Sequence, residues 1–279
     1  MAVTVESSSL GTFASGTTTV VTKPTGLAVG DLMIGQYTYR NSSASHTLPS
    51  GFTSVQSVQT NNSWQVVCYK VATSADVSAT DFTFTTSGTY MQNAGLIRIS
   101  GYSQGTPIGQ SGVEGNITSG TNPTFNNTVT PFADSMLIML MAASANGATL
   151  TQPSVYAIAT DNPTWTELWD NVNTGGGNPT ALATAYAVRT ASTATGNSTI
   201  TASFSGGSSY GWSCILLAVP LSKDIAVTDT LTITETKAVN LGILINDTLT
   251  ISETIITDND RKWTTQNKSS TTWTNIDKS

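Results

Sequence analysis

The sequence predicts an all-β protein: a jelly-roll-like β-sandwich of two related halves, then a β-ribbon or stalk, then an extended C-terminal tail. Three observations carry that expectation. Only 10% of the 279 residues are charged while 38% are hydrophobic, the reverse of the balance that keeps a chain unfolded. Thr- and Gly-rich sequence almost devoid of amphipathic Leu, Lys and Glu stretches favours strands over helices. Short apolar runs also recur between Gly, Asn, Ser and Pro clusters, with no helical stretch between them, as in sandwiches and jelly rolls.

The body is expected over 1–222, with related halves at about 20–103 and 129–222. In the first half "GDLMIGQYTYR" (30–40), "GFTSVQSV" (51–58), "WQVVCYKVATSADV" (64–77), "DFTFTTSG" (81–88) and "NAGLIRISG" (93–101) follow one another. Their counterparts are "ADSMLIMLMAA" (133–143), "WTELWDNV" (165–172), "ALATAYAVRTASTATG" (181–196), "STITASFSGG" (198–207) and "GWSCILLAVPL" (211–221). Phe82-Thr83-Phe84 alternates as a half-buried strand does, whereas Leu137 to Met141 is apolar throughout and belongs at a sheet centre. No linker-like stretch separates the halves, so one body is expected. Cys68 and Cys214 lie in apolar runs and read as buried thiols, with a disulfide between them left open.

After Pro220 the pattern changes. From Ile225 to Ile255 nearly every odd position is apolar or charged and most even ones are Thr, and "DTLTITE" (229–235) returns as "DTLTISE" (247–253). That is strict period-2 alternation, too long for one strand, so residues 223–258 read as a ribbon or oligomerising stalk broken near 237–242. Its apolar stripe, Leu231, Ile233, Val239, Leu241, Leu249 and Ile251, has to pack on the sandwich or on copies of itself.

Residues 259–279 read as an extended anchoring tail. Trp263 and Trp273 stand ten residues apart, an even spacing that puts them on one side of an extended chain. Arg261, Lys262, Lys268 and Lys278 surround them. Ordering such a tail costs roughly 20–40 kcal/mol, while burying two tryptophans returns about 4–6 kcal/mol each. Docking therefore needs backbone hydrogen bonds too, for example through strand addition to a neighbour's sheet edge.

Net charge is −6, and it is unevenly spread. Residues 1–222 carry 5 basic and 9 acidic side chains, 223–260 carry 2 and 7, and 261–279 carry 4 and 1. The body offers no basic field for nucleic acid, and no apolar run is long enough to span a bilayer. No secretory signal is visible at the N-terminus.

Catalytic patterns are weak. His46 is the only histidine, and it precedes the G-x-S-x-G match "GSSYG" around Ser209, which opens into strand-like sequence where that motif demands a helix. Glu167 and Asp170 are three apart, so a regular strand would turn them to opposite faces, unlike the paired carboxyls of glycosidases. Cysteine and histidine are too scarce for zinc, and Asp161, Asn162 and Asp170 lack the spacing of a calcium loop. No enzyme, cofactor or metal is expected. Trp165, Trp169 and Tyr210 are the candidate glycan contacts, because aromatic rings stack on sugars; Trp165 and Trp169 are expected on one strand face.

"KPTGLAVGDLMIGQYTYR", the Pro-Ser-Gly-Phe turn at 49–52 and "YKVATSADVSATDFTFT" resemble a class of tailed-bacteriophage virion structural proteins of β-sandwich type. The closing Trp-Thr-x-x-x-Lys-Ser repeats resemble the C-terminal tails of phage structural proteins. The resemblance implies a virion component without saying which one. Together with the ribbon and the cationic tail, it leads to the expectation of a non-enzymatic protein of the virion surface, of capsid-decoration or head-fibre type, docked on the particle through its C-terminal tail. The other expectation is a tail-fibre or receptor-binding module for host surface glycans. The partners implied are other virion proteins of the capsid or tail, further copies of the chain with a trimer favoured, and a host glycan.

Overall fold

The computed structural model describes residues 3–41, 43–61, 63–117, 122–146, 149–150, 153–173, 180–205, 208–222, 252–256 and 263–267. Among these the chain is all-β, with antiparallel sheets and a single five-residue helix. It separates into two units, Met1–Ser222 and Lys223–Ser279.

The first unit opens with β1 (Thr4–Leu10), β2 (Ala14–Thr22), β3 (Leu32–Tyr39), β4 (His46–Thr47), β5 (Thr53–Gln59), β6 (Trp64–Val71), α1 (Ser74–Ser78) and β7 (Asp81–Ser100). It continues with β8 (Gln110–Ile117), β9 (Thr124–Phe125), β10 (Ser135–Asn146), β11 (Thr149–Leu150), β12 (Ser154–Ile158), β13 (Thr166–Asn173), β14 (Thr180–Arg189), β15 (Ser198–Thr201), β16 (Phe204–Ser205) and β17 (Ser208–Val219). The helix is short but fully capped: the Thr73 hydroxyl accepts from the Asp76 amide, and the Asp76 carboxylate accepts from the Thr73 amide, a reciprocal capping box.

The same pairing order occurs twice. One sheet runs β1-β7-β3-β6-β5 and the other β8-β17-β10-β14-β13. The first part of β7 pairs with β2 and β4, just as β15 pairs with β9 and β12. Registers agree as well. Leu32 lies opposite Val71 and Ile99, and Met136 lies opposite Val188 and Val219. Gly30 and Asp134, two residues before them, both have positive φ, 91° and 62°, a turn conformation that glycine and aspartate tolerate best. Even the bulges coincide: β5 shifts register at Val55 and β13 at Leu168. Phe52-Thr53-Ser54-Val55 and Trp165-Thr166-Glu167-Leu168 therefore occupy matching places.

The seven-stranded sheet of the first half and the five-stranded sheet of the second stack face to face. Leu32, Ile34, Ile97 and Ile99 from one meet Met136, Ile138, Leu140, Ile215 and Leu217 from the other in a shared core. Each sheet is also covered on its far face. Met33, Tyr37, Phe84 and Leu96 form one outer core, and Leu137, Met139, Met141, Cys214 and Leu216 form the other. Burial on both faces explains why β10 reads "SMLIMLMAA" without alternation, as a sheet covered on both sides does.

A polar seam crosses the central core. Gln36 donates from Nε2 to the Met141 carbonyl at 3.0 Å, and its Oε1 accepts from Thr184 Oγ1 at 2.6 Å. Gln65 donates to the Leu140 carbonyl at 3.0 Å and accepts from Ser213 at 2.7 Å. Satisfied buried polar groups of this kind fix one relative position of two layers, since sliding would leave them unpaired.

The unit has two distinct ends. At one, Ser222 donates its amide to the Gly101 carbonyl, Tyr102 bridges to Leu221, and the Tyr102 hydroxyl reaches the Gly30 carbonyl at 2.8 Å. The chain therefore leaves this unit beside the turns that enter β3. At the other end lie Tyr39, Trp64 and Gln92, paired across β3, β6 and β7, and Ser144, which meets Ser63 at 3.1 Å.

In the second unit, β18 (Ser252–Ile256) pairs antiparallel with β19 (Trp263–Asn267), Ile256 opposite Trp263. The expected division between ribbon and tail at 258/259 lies outside the described residues, between these two strands. The stripe Leu231, Ile233, Val239, Leu241, Leu249 and Ile251 lies outside the described residues. So do Arg261, Lys262, Lys268, Trp273 and Lys278.

Candidate functional site

The duplicated register supplies an internal control. Where both halves carry the same kind of residue at matching positions, the fold accounts for it; where they differ, something else does. Tyr69 and Tyr186, Val71 and Val188, and Phe52 and Trp165 are of the first kind. Phe52 packs edge-on against Phe82, ring centroids 5.7 Å apart, and closes its outer core. Trp165 is half-buried against the second outer core, and its indole N–H donates to Asn162 Oδ1 at 2.9 Å.

Trp169 is not a surface residue. The bulge at Leu168 inserts one residue between Glu167 and Trp169, so Trp165 and Trp169 face opposite sides of the sheet. Trp169 is 6% exposed in the central core. A Cβ on Gly95 would lie 2.6 Å from its ring, so the indole rests directly on bare backbone. Nor do the other two aromatic candidates meet. Trp165 precedes Thr166, which pairs near the Ser135 end of the sheet, while Tyr210 lies between Ser208 and Gly211, which pair near the Ser144 end. The expected glycan trio is thus one core residue and two residues at opposite ends.

The same bulge overturns the expectation for the carboxylates. With Leu168 as the extra residue, Glu167 and Asp170 point to one side, toward β12. Burial, then the Asp170 charge, pushes the Glu167 carboxyl above its usual range. Beside them Tyr156 is 6% exposed. Its hydroxyl reaches toward Glu167 without closing a hydrogen bond, and burial followed by the two carboxylates pushes its phenol well up. Val155 next to it forms a bulge in β12 with φ of 38° and 69% exposure, an unfavourable conformation for a β-branched residue. The first half has Ser54 and Ser57 where the second has Glu167 and Asp170, so the fold does not require the acids.

A second group unique to one half lies at the end remote from Ser222. Tyr37, Tyr39, His46 and Trp64 form a chain of rings, with centroids 5.4 Å apart for Tyr37–Tyr39, 5.7 Å for Tyr39–His46 and 6.2 Å for His46–Trp64. The matching places in the second half hold Met141, Ala143 and Ala181. Tyr37 and Tyr39 are buried, while His46 and Trp64 are half-buried. Burial holds the His46 pKa below its usual value, and its Nδ1 lies 3.1 Å from the Tyr39 hydroxyl.

Ser209 is the second residue of β17, which runs on as strand to Val219, so the helix of a nucleophile elbow does not follow. Asp161 pairs with Arg189 at 3.3 Å. Asn162 caps the Ile158 amide and holds Trp165. Cys68 and Cys214 are free, buried in separate outer cores, and cannot pair. Among the described residues no three of His, Cys, Asp and Glu converge as a metal group, and no helix is long and apolar enough to cross a membrane. Compared with family models, curated proteins and solved structures, the chain matches none.

Proposed function

We propose that this chain is a non-enzymatic bacteriophage virion protein, of capsid-decoration or head-fibre type. It displays its first unit outward and docks on the particle through its C-terminal segment, as one of several copies, with a trimer favoured. The observation that carries the reading is the polarity of the first unit. Its chain exit at Ser222 lies by the β3-entry turns, and its aromatic end lies at the opposite pole. The connectivity supports a finer reading, in which each half is a small jelly roll. In it the first strand lies beside the last, the third lies between last and sixth, and the second and fourth flank the strand segment before the last. The resemblance of "KPTGLAVGDLMIGQYTYR" and of the terminal Trp-Thr repeats to phage structural proteins points the same way.

The test leaves the β18–β19 hairpin whole. A tagged chain lacking residues 268–279, supplied during particle assembly, is expected to fold and remain in the soluble fraction, while the full chain sediments with particles. Equal sedimentation of both would overturn docking through the tail.

One observation favours the receptor-binding alternative: the half-buried Trp64 and His46 lie at the pole remote from the chain exit and have no counterpart in the second half. On that reading host glycans are gripped there, and Trp64→Ala abolishes glycan binding while Trp165→Ala leaves it intact.

A further inference from the structure

The geometry points to a calcium-class divalent cation site at the lip between β12 and β13, formed by the Glu167 and Asp170 carboxylates and the Tyr156 hydroxyl. Three independent features converge there. The Leu168 bulge turns both carboxylates to one side of an edge strand, an arrangement that regular alternation would forbid. Tyr156 is more than nine-tenths buried, and its hydroxyl, directed at the carboxylates, makes no hydrogen bond; a buried phenol oxygen without a partner is costly unless something else completes it. The matching residues of the first half are the uncharged Ser54 and Ser57, so the acids are an addition to a fold that forms without them.

The donor set selects the ligand. All three groups offer oxygen, and among the described residues no His, Cys, Asp or Glu joins them as a third metal-type ligand. Hard oxygen donors without imidazole or thiolate suit calcium over zinc or copper. Calcium also tolerates irregular geometry and completes its shell with water, whereas magnesium demands a near-octahedral arrangement. A bound dication would relieve the mutual repulsion of the two carboxylates and give the phenol oxygen a partner. With only two carboxylates, affinity belongs in the weak range of extracellular modules, about 0.1–1 mM.

The test uses the full chain and calcium chloride alone, with ionic strength matched by potassium chloride. Calcium at 10 mM is expected to raise the Tm of the first unit by about 3–6 °C, saturably and with half-effect at about 0.1–1 mM. Glu167→Ser and Asp170→Ser, which install the first half's own residues, are expected to keep the fold and weaken the half-effect concentration at least about tenfold. Tyr156→Phe is expected to leave the calcium-free Tm unchanged or higher, since it deletes an unpaired hydroxyl, while weakening the calcium response. The proposal is overturned if potassium chloride reproduces the rise, if no rise occurs up to 10 mM, or if the double serine variant responds like the parent.

Discussion

Trp169 donates its indole N–H to Gln36 Oε1 at 3.3 Å across the central core, and Thr184 donates to the same oxygen at 2.6 Å. One amide of the first half thus satisfies two donors of the second. Its counterpart in the duplicated register is the apolar Leu140. Gln36→Leu therefore leaves two buried donors unpaired and is expected to cost about 2–4 kcal/mol. Adding Thr184→Val removes one orphan and should recover part of that loss. Urea unfolding of the three proteins measures both; equal stability of Gln36→Leu and the parent would mean that the seam contributes nothing.

Gly95 lies under the Trp169 ring with no room for a methyl group. Gly95→Ala is expected to destabilise by about 1–3 kcal/mol through overpacking. Trp169→Leu in the same chain should relieve the clash, so the two substitutions together should cost less than their separate effects added. Additive losses in a double-mutant cycle would show that the two residues do not compete for space.

Asp76 gives the pH dependence its sign. Burial alone would raise its carboxyl, but the Lys70 ammonium at 2.6 Å and the Thr73 side chain and amide outweigh it and hold the group below its usual range. A depressed folded pKa contributes stability above the unfolded value, near 3.8, and that stability disappears as pH falls through the folded pKa. Glu167 is raised and acts in reverse, with its contribution present at low pH and lost as pH climbs through its folded value. Asp76→Asn should therefore flatten the acid limb of a Tm-against-pH curve, and Glu167→Gln should raise Tm at neutral pH. A neutral-pH loss with Glu167→Gln would contradict the assignment.

The thiols offer a direct check on the layering. Cys68 lies in one outer core and Cys214 in the other, both fully buried, and burial pushes both thiols well above their usual range. Neither should react with an aromatic disulfide reagent in the native protein, and both should react once it is unfolded. Rapid native labelling of either would mean that the outer core above it is open.

Much of this architecture was legible in the residues. Period-2 alternation marked the half-buried strands, continuous apolar runs marked β10 and β17, and the matching order of five strand-like segments in each half marked the duplication. Those are local properties of backbone and side chain, so the order of residues carries them. The polar seam left only a faint trace, the glutamines Gln36 and Gln65 in otherwise apolar strands, with nothing to say what they would meet.

What only the tertiary structure decided turns on a single residue. Leu168 looks like any other strand leucine, yet its pairing with nothing on β14 shifts the register and reverses the faces of everything beyond it. Trp169 passes from candidate contact to core, and Glu167 and Asp170 pass from opposite faces to a shared lip. Alternation is written in the chain itself, but a bulge exists only relative to the partner strand. Composition and period therefore specified an all-β duplicated body, while the choice of which side chains stand together was made by pairing between strands distant in sequence.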